Sequence, residues 1–528
     1  MPTVTSYADR LAIPFANEPV LRFDDVESAA MRQALARVSA ALGREYPLII
    51  GGARVHTATR VISVNPARPS QVVGVHAEAD ATMVDRAVDA ALNAFGTWRF
   101  APVGERAALL LRVAAEARAR RLELSAWLVF EVGKNWREAD AEVAEAIDFL
   151  EFYAREAIRL AESAPPIQFP GERGQLAYLP VGVCAVLPPW NFPLAILAGL
   201  TTAAIVCGNT VVVKPSPEAP TIAAIFMEIL EQCELPAGVV NLLQGGVDVG
   251  KALVEHPKTR VIAFTGSKAA GLDIHQRAAQ RRPGQAGIKR TVLEMGGKDA
   301  IIVDREADLD EAVEGVVAAA FGFNGQKCSA CSRVIVDEAV YDEFVARLIP
   351  AAAALQHGDP AADAAVGPVI NEAAYRRVLD YIETGTHEGR ILLGGHALTP
   401  AAEGYYIAPT IIGDLENDGR ICQEEIFGPV LAVLRAHNFE HAIDLANDTE
   451  YGLTGAVFSR NRPTLDRARE RFHVGNLYLN RKCTGAMVGA HPFGGFNMSG
   501  TDSKAGGPDY LLLFTQAKTI AERVTIRD

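Results

Sequence analysis

The chain has 528 residues, which is more than one compact core holds, so two or three packed units are expected. Hydrophobic residues make up 49% and charged residues 22% of the sequence, the balance of an ordinary soluble globular protein. Asp and Glu number 64 against 51 Lys and Arg. The resulting net charge of −13, with no long basic run, makes a nucleic-acid or anionic-membrane partner unexpected.

Cysteine usage indicates a reducing compartment. The seven cysteines are odd in number and mostly scattered, at positions 184, 207, 233, 328, 331, 422 and 483. This pattern predicts free thiols in the cytoplasm rather than a disulfide framework. Residues 1–15 lack the basic start and apolar core of a secretory signal. The longest smooth apolar stretch, residues 194–207, falls short of the ~20 residues that span a bilayer and predicts a buried element.

The first part of the chain is predicted to be mainly helical. Apolar residues recur at helical spacing over 26–42, 80–96, 105–122 and 137–162. Residues 1–48 are expected to form an N-terminal extension rather than a domain. Residues 163–175, rich in Pro and Gly, predict a connector or an exposed hairpin.

Further along, short apolar runs alternate with helical segments. The runs are 183–187, 211–213, 239–243 and 261–264, and the helical segments include 221–232 and 249–256. A second alternation extends from Thr291 to Phe458, with runs at 300–303, 334–336 and 430–433. Such alternation predicts βαβ units and a mostly parallel sheet in each of two lobes, with a cleft between them.

A cysteine in a polar loop is the first candidate for chemistry. Cys328 lies in Phe323-Asn-Gly-Gln-Lys-Cys-Ser-Ala-Cys-Ser-Arg333, between a predicted helix and strand, where a nucleophile would be exposed. Its neighbour Lys327 is expected to favour the thiolate. Most single cysteines are inert, so the motif alone favours a structural role. Cys331 completes a C-x-x-C spacing, but no second Cys/Cys or Cys/His pair is close enough for zinc, so no metal is predicted.

Two more motifs contain candidate acid–base and oxyanion groups. Glu294 ends an apolar run before a Gly pair, where partial desolvation would raise its pKa and let it take a proton from water. The alternative for Glu294 is a structural carboxylate bound to a backbone amide. Asn191, in Pro188-Pro-Trp-Asn-Phe-Pro193, could donate its amide N–H to a developing oxyanion, or cap a helix that begins near Phe192.

Three segments have features of a nucleotide site, although no G-x-G-x-x-G motif is present. Gly266 and Ser267 follow a strand and open a predicted helix, where backbone amides and a hydroxyl suit a phosphate. Lys214, at a strand end, could contact a ribose or a 2′-phosphate. Glu425 offers a carboxylate to ribose hydroxyls, with Phe427 as an aromatic neighbour. Each feature alone fits a structural role better.

Taken together, these segments resemble the aldehyde dehydrogenase superfamily over about residues 48–520. The motifs WNFP, KPSP, FTGS, LEMGGK, GQKC, EEIFGP and PFGG occur in the family's order, and the interval from Glu294 to Cys328 resembles that between its base and nucleophile. The resemblance implies an α/β fold with a Rossmann-type cofactor domain, an α/β catalytic domain and a small β-flap for oligomerisation. It makes Cys328 the nucleophile, Glu294 the base for deacylation and Asn191 the oxyanion donor.

The resemblance also implies domain boundaries, a cofactor and a partner. The implied domains are an N-terminal extension (1–48), an NAD-binding domain (49–158 and 179–292), a catalytic domain (293–500) and the flap (159–178 and 501–528, with its C-terminal strand near 514–526). The implied cofactor is NAD, held by Lys214, Ser216, Gly266, Ser267, Glu425 and Phe427. Many relatives carry a Glu three residues after the Lys214 position, which disfavours a 2′-phosphate. Here that position is Pro217, followed by Glu218, so NADP stays possible. A flap edge that pairs with a second chain predicts a homodimer or an assembly of dimers.

Within the superfamily the chain resembles the 1-pyrroline-5-carboxylate dehydrogenases. The likeness lies in Gly325–Arg333, Cys483–Gly489 and Pro492–Tyr510, and in Asn17-Glu-Pro and Glu45-Tyr-Pro-Leu of the extension. These enzymes oxidise L-glutamate γ-semialdehyde, the hydrated and opened form of 1-pyrroline-5-carboxylate, to L-glutamate in proline catabolism. The implied route is a Cys thiohemiacetal followed by a thioester.

An amino-acid aldehyde needs a polar clamp at its zwitterionic end and an apolar sleeve along its methylenes. The resemblance implies that Ser329, Gly485 and Ala486 anchor the α-carboxylate. Phe192 and Phe493 would flank the methylenes, Glu145 would meet the ammonium group, and Lys327 is also expected among the substrate contacts.

Two alternatives remain open. The same chemistry could act on another semialdehyde, whereas a CoA-acylating enzyme is disfavoured because transfer to CoA needs no water-activating Glu at position 294. An inactive nucleotide-binding scaffold is disfavoured because Cys328, Glu294 and Asn191 are all present.

Overall fold

The computed structural model describes residues 13–162, 166–398 and 403–524. The ends of the predicted extension (1–12) and flap (525–528) and the start of the predicted connector (163–165) lie outside the described residues. No helix within these ranges is long and apolar enough to cross a bilayer.

Helices and strands alternate along most of the chain. The helices are α1 (Asp25–Ala41), α2 (Ala81–Trp98), α3 (Val103–Ala119), α4 (Arg121–Val132), α5 (Trp136–Ala161), α6 (Ala195–Val206), α7 (Pro220–Gln232), α8 (Val247–Glu255), α9 (Lys268–Ala279), α10 (Leu309–Phe321), α11 (Tyr341–Ala353), α12 (Glu372–Glu388), α13 (Arg420–Gln423), α14 (Phe439–Asn447) and α15 (Arg462–Arg471), with short 3₁₀ turns at Gly322–Gly325, Pro360–Ala362 and Tyr510–Phe514. The strands are β1 (Arg44–Tyr46), β2 (Leu48–Ile50), β3 (Ala53–Val55), β4 (Arg60–Asn65), β5 (Arg68–Ala77), β6 (Glu172–Pro180), β7 (Val183–Leu187), β8 (Thr210–Val213), β9 (Val240–Leu242), β10 (Thr259–Thr265), β11 (Arg290–Glu294), β12 (Ala300–Val303), β13 (Arg333–Asp337), β14 (Arg390–Leu393), β15 (Thr410–Gly413), β16 (Val430–Ala436), β17 (Tyr451–Gly452), β18 (Thr454–Phe458), β19 (Asn476–Leu479), β20 (Phe496–Asn497) and β21 (Thr515–Arg523).

Each of the two lobes is built on a seven-stranded sheet. The first has the order β11-β10-β7-β8-β9-β2-β3, and its five strands from β11 to β9 are mutually parallel. The second has the order β14-β15-β16-β13-β12-β18-β19 and is parallel except for the edge strand β14. The inner strands β7, β8 and β12 are Val/Ile-rich and buried along their whole length, as strands covered by helices on both faces must be.

A two-stranded antiparallel sheet of β6 and β21 stands apart from the lobes. Its strands are mostly exposed to solvent, and they correspond to the predicted flap. The observed strand boundaries differ from the prediction. Residues 159–161 still belong to α5, and residues 501–514 precede the strand and contact the two lobes instead.

The helix predicted over 105–122 is present as α3, which ends at Ala119, but the helix that follows it was not predicted. The chain forms α3, then breaks at Arg120, and continues as α4 to Val132. Every residue from Leu124 to Val132 is buried, so α4 has no polar face and lacks the amphipathic period by which a helix is recognised in a sequence.

The predicted extension is joined to the first lobe. Helix α1 packs against α4, and β1 pairs with β5 in a three-stranded sheet. Strand β2 begins at Leu48 and already belongs to the first seven-stranded sheet. The domain division stays a prediction, with its boundaries at 48/49 and 292/293 falling inside β2 and β11.

Candidate active site

A cavity of about 720 Å³ lies between the lobes and is lined by residues of both. It brings together the predicted nucleophile, the predicted oxyanion donor and every predicted cofactor residue: Cys328, Asn191, Lys214, Ser216, Gly266, Ser267, Glu425 and Phe427. These residues are spread over 236 positions of the sequence, from 191 to 427, so only the fold makes them neighbours.

The parallel strands of the first sheet explain why these residues meet. Numbered from β7, the five parallel strands lie in the order 3-2-1-4-5, which is that of a dinucleotide-binding fold. Ligands bind such sheets at the carboxyl ends of the strands where the order reverses. Here the reversal lies between β7 and β10, and the segments that follow them, residues 188–191 and 266–267, both line the cavity.

The loop that carries Cys328 is set by a tight left-handed turn. Phe323, Asn324 and Gly325 all have positive φ angles, of 49°, 56° and 66°. A Cβ on Gly325 would collide with the carbonyl oxygen of Gly428, so only glycine fits at this point. The turn therefore packs the Cys328 loop directly against the chain that follows Glu425.

The amide of Asn191 points to the Cys328 loop. Its Nδ2 donates to the carbonyl oxygen of Gln326 at 3.0 Å. Helix α6 begins at Ala195 rather than near Phe192, and its first N–H groups, of Leu194 and Ala195, are accepted by the carboxylate of Glu142 at 2.8 and 3.2 Å.

The capping interpretation of Asn191 is therefore wrong, because Glu142 fills that role. An Asn amide has two N–H groups. Within the described part of the chain only Gln326 accepts from the Asn191 side chain, so the second N–H is available to a substrate oxygen.

Glu294 ends β11 as a buried carboxyl group with one committed oxygen. The Ser503 hydroxyl donates to its Oε1, whereas Oε2 has no partner among the described residues. Burial raises the pKa of Glu294 from 4.5 to about 8, although the Ser503 hydrogen bond and the charge of Lys504 act in the opposite direction. The raised pKa predicted from the sequence is confirmed. A carboxyl group of this kind exchanges protons near neutral pH.

The surroundings of Cys328 favour the neutral thiol. Burial raises its pKa above the ordinary range, and the negative charges of Asp299, Glu425 and Glu294 add to the effect. Lys327 does not offset them, because its ammonium group donates to Glu138 at 2.7 Å. The expectation that Lys327 favours the thiolate is wrong for this reason.

The predicted cofactor residues place an ammonium group, a helix N-terminus and a carboxylate around the cavity. Lys214 Nζ donates to two backbone carbonyl oxygens, and burial lowers its pKa to about 8. The Ser267 hydroxyl accepts from the Ala270 N–H and caps α9, which leaves the helix N-terminus facing the cavity. Glu425 accepts the N–H of Gly297 at 3.1 Å, and burial raises its pKa to about 7.

Some cavity residues were not predicted from the sequence. They include Lys251 of α8 and Asn371 and Arg377 at the start of α12. No motif marks them, and they reach the cavity only because one face of α8 lines it and α12 begins beside it. Pro217 also lines the cavity, whereas Glu218 does not.

The predicted substrate residues lie outside the walls of this cavity. Ser329 follows Cys328, and its carbonyl oxygen accepts from the thiol of Cys483 at 3.4 Å, which brings the segment containing Gly485 and Ala486 to the Cys328 loop. Phe493 pairs through its backbone with Ala505 at 2.7 and 2.8 Å.

Phe493 lies on a segment that passes close to Glu294. A Cβ on the next residue, Gly494, would stand 3.2 Å from Glu294 Oε1. Phe192 and Glu145 lie on the other side, on the loop before α6 and on α5. Burial and the charge of Glu142 raise the pKa of Glu145 to about 8.

A buried ion pair supports this side and was missed in the sequence. Lys134 Nζ donates to Glu142 at 2.6 Å, with both side chains inaccessible to solvent. The same ammonium group lies 3.7 Å from the ring centroid of Phe192 and 4.7 Å from that of Phe323. One lysine thus contacts the aromatic residue beside Asn191 and the turn before Cys328. Its sequence environment gives no signal, since an isolated Lys usually lies on a solvated surface.

The comparisons with known proteins agree with this geometry. The model of the aldehyde dehydrogenase family matches residues 54–520. The chain belongs to the aldehyde dehydrogenase family. It is 54% identical over 512 residues to the 1-pyrroline-5-carboxylate dehydrogenase of Geobacillus thermodenitrificans, covering 96% of this chain and 99% of the relative. It is 51% identical over 515 residues to 1-pyrroline-5-carboxylate dehydrogenase 2 of Bacillus subtilis, covering 97% and 100%.

A solved structure is similar over nearly the whole chain. The 1-pyrroline-5-carboxylate dehydrogenase from Thermus with bound NAD superposes with a TM-score of 0.95 at 50% identity, covering 97% of this chain and 99% of the other. The α/β fold class and the family resemblance predicted from the sequence are confirmed.

Proposed function

We propose that this protein oxidises L-glutamate γ-semialdehyde, the open form of 1-pyrroline-5-carboxylate, to L-glutamate with NAD. The observation that carries the proposal is the grouping of Cys328 and Asn191 on one cavity, with Oε2 of buried Glu294, which has no partner among the described residues, close to the loop of Phe493. The relatives at 51–54% identity bear the name of this activity.

The cavity fits a dinucleotide. It lies at the reversal of strand order, and it offers the N-terminus of α9, the carboxylate of Glu425 and the ammonium group of Lys214. Ser267 and Gly266 would hold phosphate oxygens, Lys214, Ser216 and Glu425 would hold ribose hydroxyls, and Phe427 would lie beside the nicotinamide. When bound, NAD supplies the acceptor for the hydride that leaves the substrate.

The chemistry begins at Cys328. Its sulfur, once deprotonated, adds to the aldehyde carbon and forms a thiohemiacetal. The oxygen that becomes negative accepts the second N–H of Asn191 and the backbone N–H of Cys328, as an oxyanion hole requires. Loss of hydride from the same carbon converts the thiohemiacetal into a thioester.

Glu294 completes the cycle. Its Oε2 accepts a proton from water, and the resulting hydroxide attacks the thioester carbon. The C–S bond breaks, L-glutamate leaves, and Cys328 is regenerated. Ser503 holds the other oxygen of Glu294, so that the carboxylate keeps one fixed orientation during this step.

The substrate would be clamped at its charged end. Ser329, Gly485 and Ala486 would receive the α-carboxylate and Glu145 the ammonium group, while Phe192 and Phe493 flank the methylenes. Lys327, bonded to Glu138, would act at this end through its charge.

We also propose that two copies of the chain pair through the β6–β21 flap, as a homodimer or an assembly of dimers. A reducing cytoplasmic compartment is proposed as well, because the seven cysteines are all free thiols and six of them are buried.

The test is a comparison of substrates, in which the rate of formation of reduced nicotinamide is measured. 1-Pyrroline-5-carboxylate is assayed against acetaldehyde and succinate semialdehyde, first with NAD and then with NADP. A much higher kcat/KM for the pyrroline would support the proposal. Equal or higher values for either of the other aldehydes would overturn the substrate assignment while leaving the aldehyde oxidation in place.

A further inference from the structure

The N-terminal arm, residues 13–24, takes no part in the chemistry described above, yet it contacts the side of the molecule where the substrate clamp is proposed. It precedes α1 and carries the Asn17-Glu-Pro segment noted in the sequence. One face of the arm lies on α5 and another on the loop of residues 484–489, called here the anchor loop because it contains Gly485 and Ala486.

The arm is bound to α5 through a buried carboxylate. Asn17 Nδ2 donates to Asp148 Oδ2 at 2.8 Å, and the backbone N–H of Glu18 donates to Asp148 Oδ1 at 2.7 Å. Both oxygens of Asp148 are therefore taken by the arm, and the side chain is almost inaccessible to solvent. Charge-assisted hydrogen bonds of this kind are among the stronger ones in proteins.

The same Asn17 amide also holds the anchor loop. Its Nδ2 donates to the carbonyl oxygen of Val488 at 2.9 Å. Phe15 packs edge-on against Phe152 of α5, with ring centroids 5.2 Å apart. A Cβ on Gly489 would stand 3.0 Å from the Phe15 ring, so the bare glycine lets the arm approach the loop closely.

Ion pairs keep the arm in place next to Asn17. The carboxylate of Glu18 is 2.9 Å from Arg118 and 3.3 Å from Arg121. Arg121 in turn pairs with Asp140 of α5 at 2.6 Å, and Asp140 accepts the N–H of Leu21 at 2.7 Å. The arm is thus fixed to α5 at several points. Through Asn17 it also holds the anchor loop in a fixed position relative to α5.

The two groups joined by Asn17 lie on the two elements that contain the proposed clamp residues. Asp148 lies three residues after Glu145 on α5, so the two side chains share a helix face. Val488 lies two residues after Ala486 in the anchor loop. One amide therefore links the helix proposed to meet the ammonium group to the loop proposed to meet the carboxylate.

We propose that Asn17 is a positioning residue that sets the spacing between the two ends of the zwitterion clamp. The inference rests on the proposed function. It predicts that Asn17 governs selectivity for aldehydes that carry an α-amino acid group, and that it leaves the reaction at Cys328 unaffected. A clamp that is displaced slightly loses much of its effect, because binding groups act only at the correct distance.

The experiment compares Asn17→Ala with the native enzyme on two aldehydes of equal chain length. One is L-glutamate γ-semialdehyde, supplied as the pyrroline, and the other is pentanal, which lacks both charged groups. The expected result is a fall of about tenfold or more in kcat/KM for the semialdehyde, mainly through KM, with pentanal kcat/KM changed by less than about twofold. Pentanal turnover also reports that the variant is folded and binds NAD.

Asp24→Ala is the matched control. It removes the side-chain cap of α1 in the same N-terminal segment and touches neither α5 nor the anchor loop, so selectivity should be unchanged. Equal losses on both aldehydes in Asn17→Ala, or no loss on either, would overturn the positioning role while the native preference for the semialdehyde stands. If the native enzyme shows no such preference, the proposed function fails and this inference fails with it.

Discussion

Glu294, the proposed base, has a pKa and hydrogen bonds that are set by its buried surroundings. Burial raises its pKa to about 8, and only one of its oxygens is hydrogen-bonded within the described residues. A base must be deprotonated to act, so the rate of thioester hydrolysis should rise with pH through about 8 and level off above it. Measuring steady-state kcat against pH, where hydrolysis limits the rate, tests this, and a limb centred near the ordinary value of 4.5 would contradict it.

Glu294→Gln separates the two halves of the reaction. Acylation of Cys328 should survive and give one rapid turnover of reduced nicotinamide, whereas steady turnover should fall by about 10²–10⁴-fold because water is no longer activated. Rapid mixing followed by steady-state assay measures both phases. The matched control is Glu145→Gln, another carboxyl group with a pKa near 8, which should raise KM and keep steady turnover. Steady turnover close to native in Glu294→Gln would exclude the base role.

The same carboxylate also affects the proposed nucleophile, Cys328. Burial and the charges of Asp299, Glu425 and Glu294 raise the pKa of Cys328, so alkylation by iodoacetamide should be slow at pH 7 and accelerate only at alkaline pH. Glu294→Gln removes one of these charges and should shift the alkylation profile to lower pH, even though it slows steady turnover. Glu145→Gln should leave the profile nearly unchanged, since Glu145 is not among the main causes of the raised pKa. The midpoint is read from alkylation rates across the pH range, and an unshifted midpoint in Glu294→Gln would refute the coupling.

The sequence predicted Cys328, Glu294 and Asn191 through the order of their motifs, and the structure brings their segments together. Prediction from the sequence failed where the direction of a side chain depends on a partner that is distant in the chain. Lys327 turns to Glu138, which lies 189 positions earlier, and Ser503 reaches Glu294 from 209 positions later. Neither contact produces a local sequence pattern, because the partners meet only in the folded chain.

At the scale of elements, helix α5 organises one side of the site. Glu138, Glu142, Glu145 and Asp148 follow one another at intervals of three or four residues, so they lie along one helix face. Three of them bind different parts of the molecule, namely Lys327, the start of α6 and the arm, and Glu145 is proposed to meet the ammonium group. In the sequence these acids look like a solvated face, and burial by the neighbouring elements is what gives them their roles.

The buried pair of Lys134 and Glu142 should be sensitive to the loss of one partner. Lys134→Met leaves a buried carboxylate without its cation, and breaking such a pair costs roughly 3–5 kcal/mol in the free energy of unfolding. Because Glu142 holds the first N–H groups of α6, kcat should fall together with stability. Denaturant unfolding and steady-state kinetics measure the two effects.

Arg347→Met is the control for that variant. It breaks exposed ion pairs with Glu343 of α11 and Asp310 of α10, whose loss should change the unfolding free energy far less than the loss of the buried pair. In the double variant Lys134→Met/Glu142→Gln the loss should be smaller than the sum of the single losses, because the residues share one interaction. Additive losses would show that the pair is not a unit.

Element prediction from the sequence succeeded where the hydrophobic period is plain and failed where it is absent. The strands β7, β8 and β10 were predicted as short apolar runs, and helix α2 from its regular apolar face. Helix α4 was missed because it is buried on all sides, and the start of α6 was placed too early because prolines obscure it. Burial on every side removes the contrast on which such predictions depend.

At the scale of the whole molecule, the site exists because two parallel sheets present loops from the two lobes to the same cavity. The first sheet contributes the strand ends at Leu187, Val213 and Thr265, and the second lobe contributes the Cys328 loop and Glu425. Alternating strands and helices made the two lobes predictable from sequence. Which loops would meet was not predictable from that pattern and came from the family resemblance.

The flap is the part of the molecule that a single chain leaves incomplete. A two-stranded sheet is marginally stable on its own, and β6 and β21 expose apolar side chains, including Leu176, Leu179 and Ile520. Phe169, just before β6, is 70% exposed. The double substitution Phe169→Asp/Ile520→Asp places charges where a second copy would pack, so the assembly should dissociate to a single chain as measured by light scattering.

Phe100→Asp serves as the comparison, because Phe100 is 72% exposed but lies at the end of α2, away from the flap. It should leave the assembly unchanged. If the flap variant stays associated while the fold is intact by circular dichroism, the flap is not the interface. If both variants dissociate, association depends on general surface hydrophobicity instead. Dissociation of the flap variant alone, with NAD binding retained, would place the contact at β6 and β21, since the cavity is built entirely from residues 187–427 of one chain.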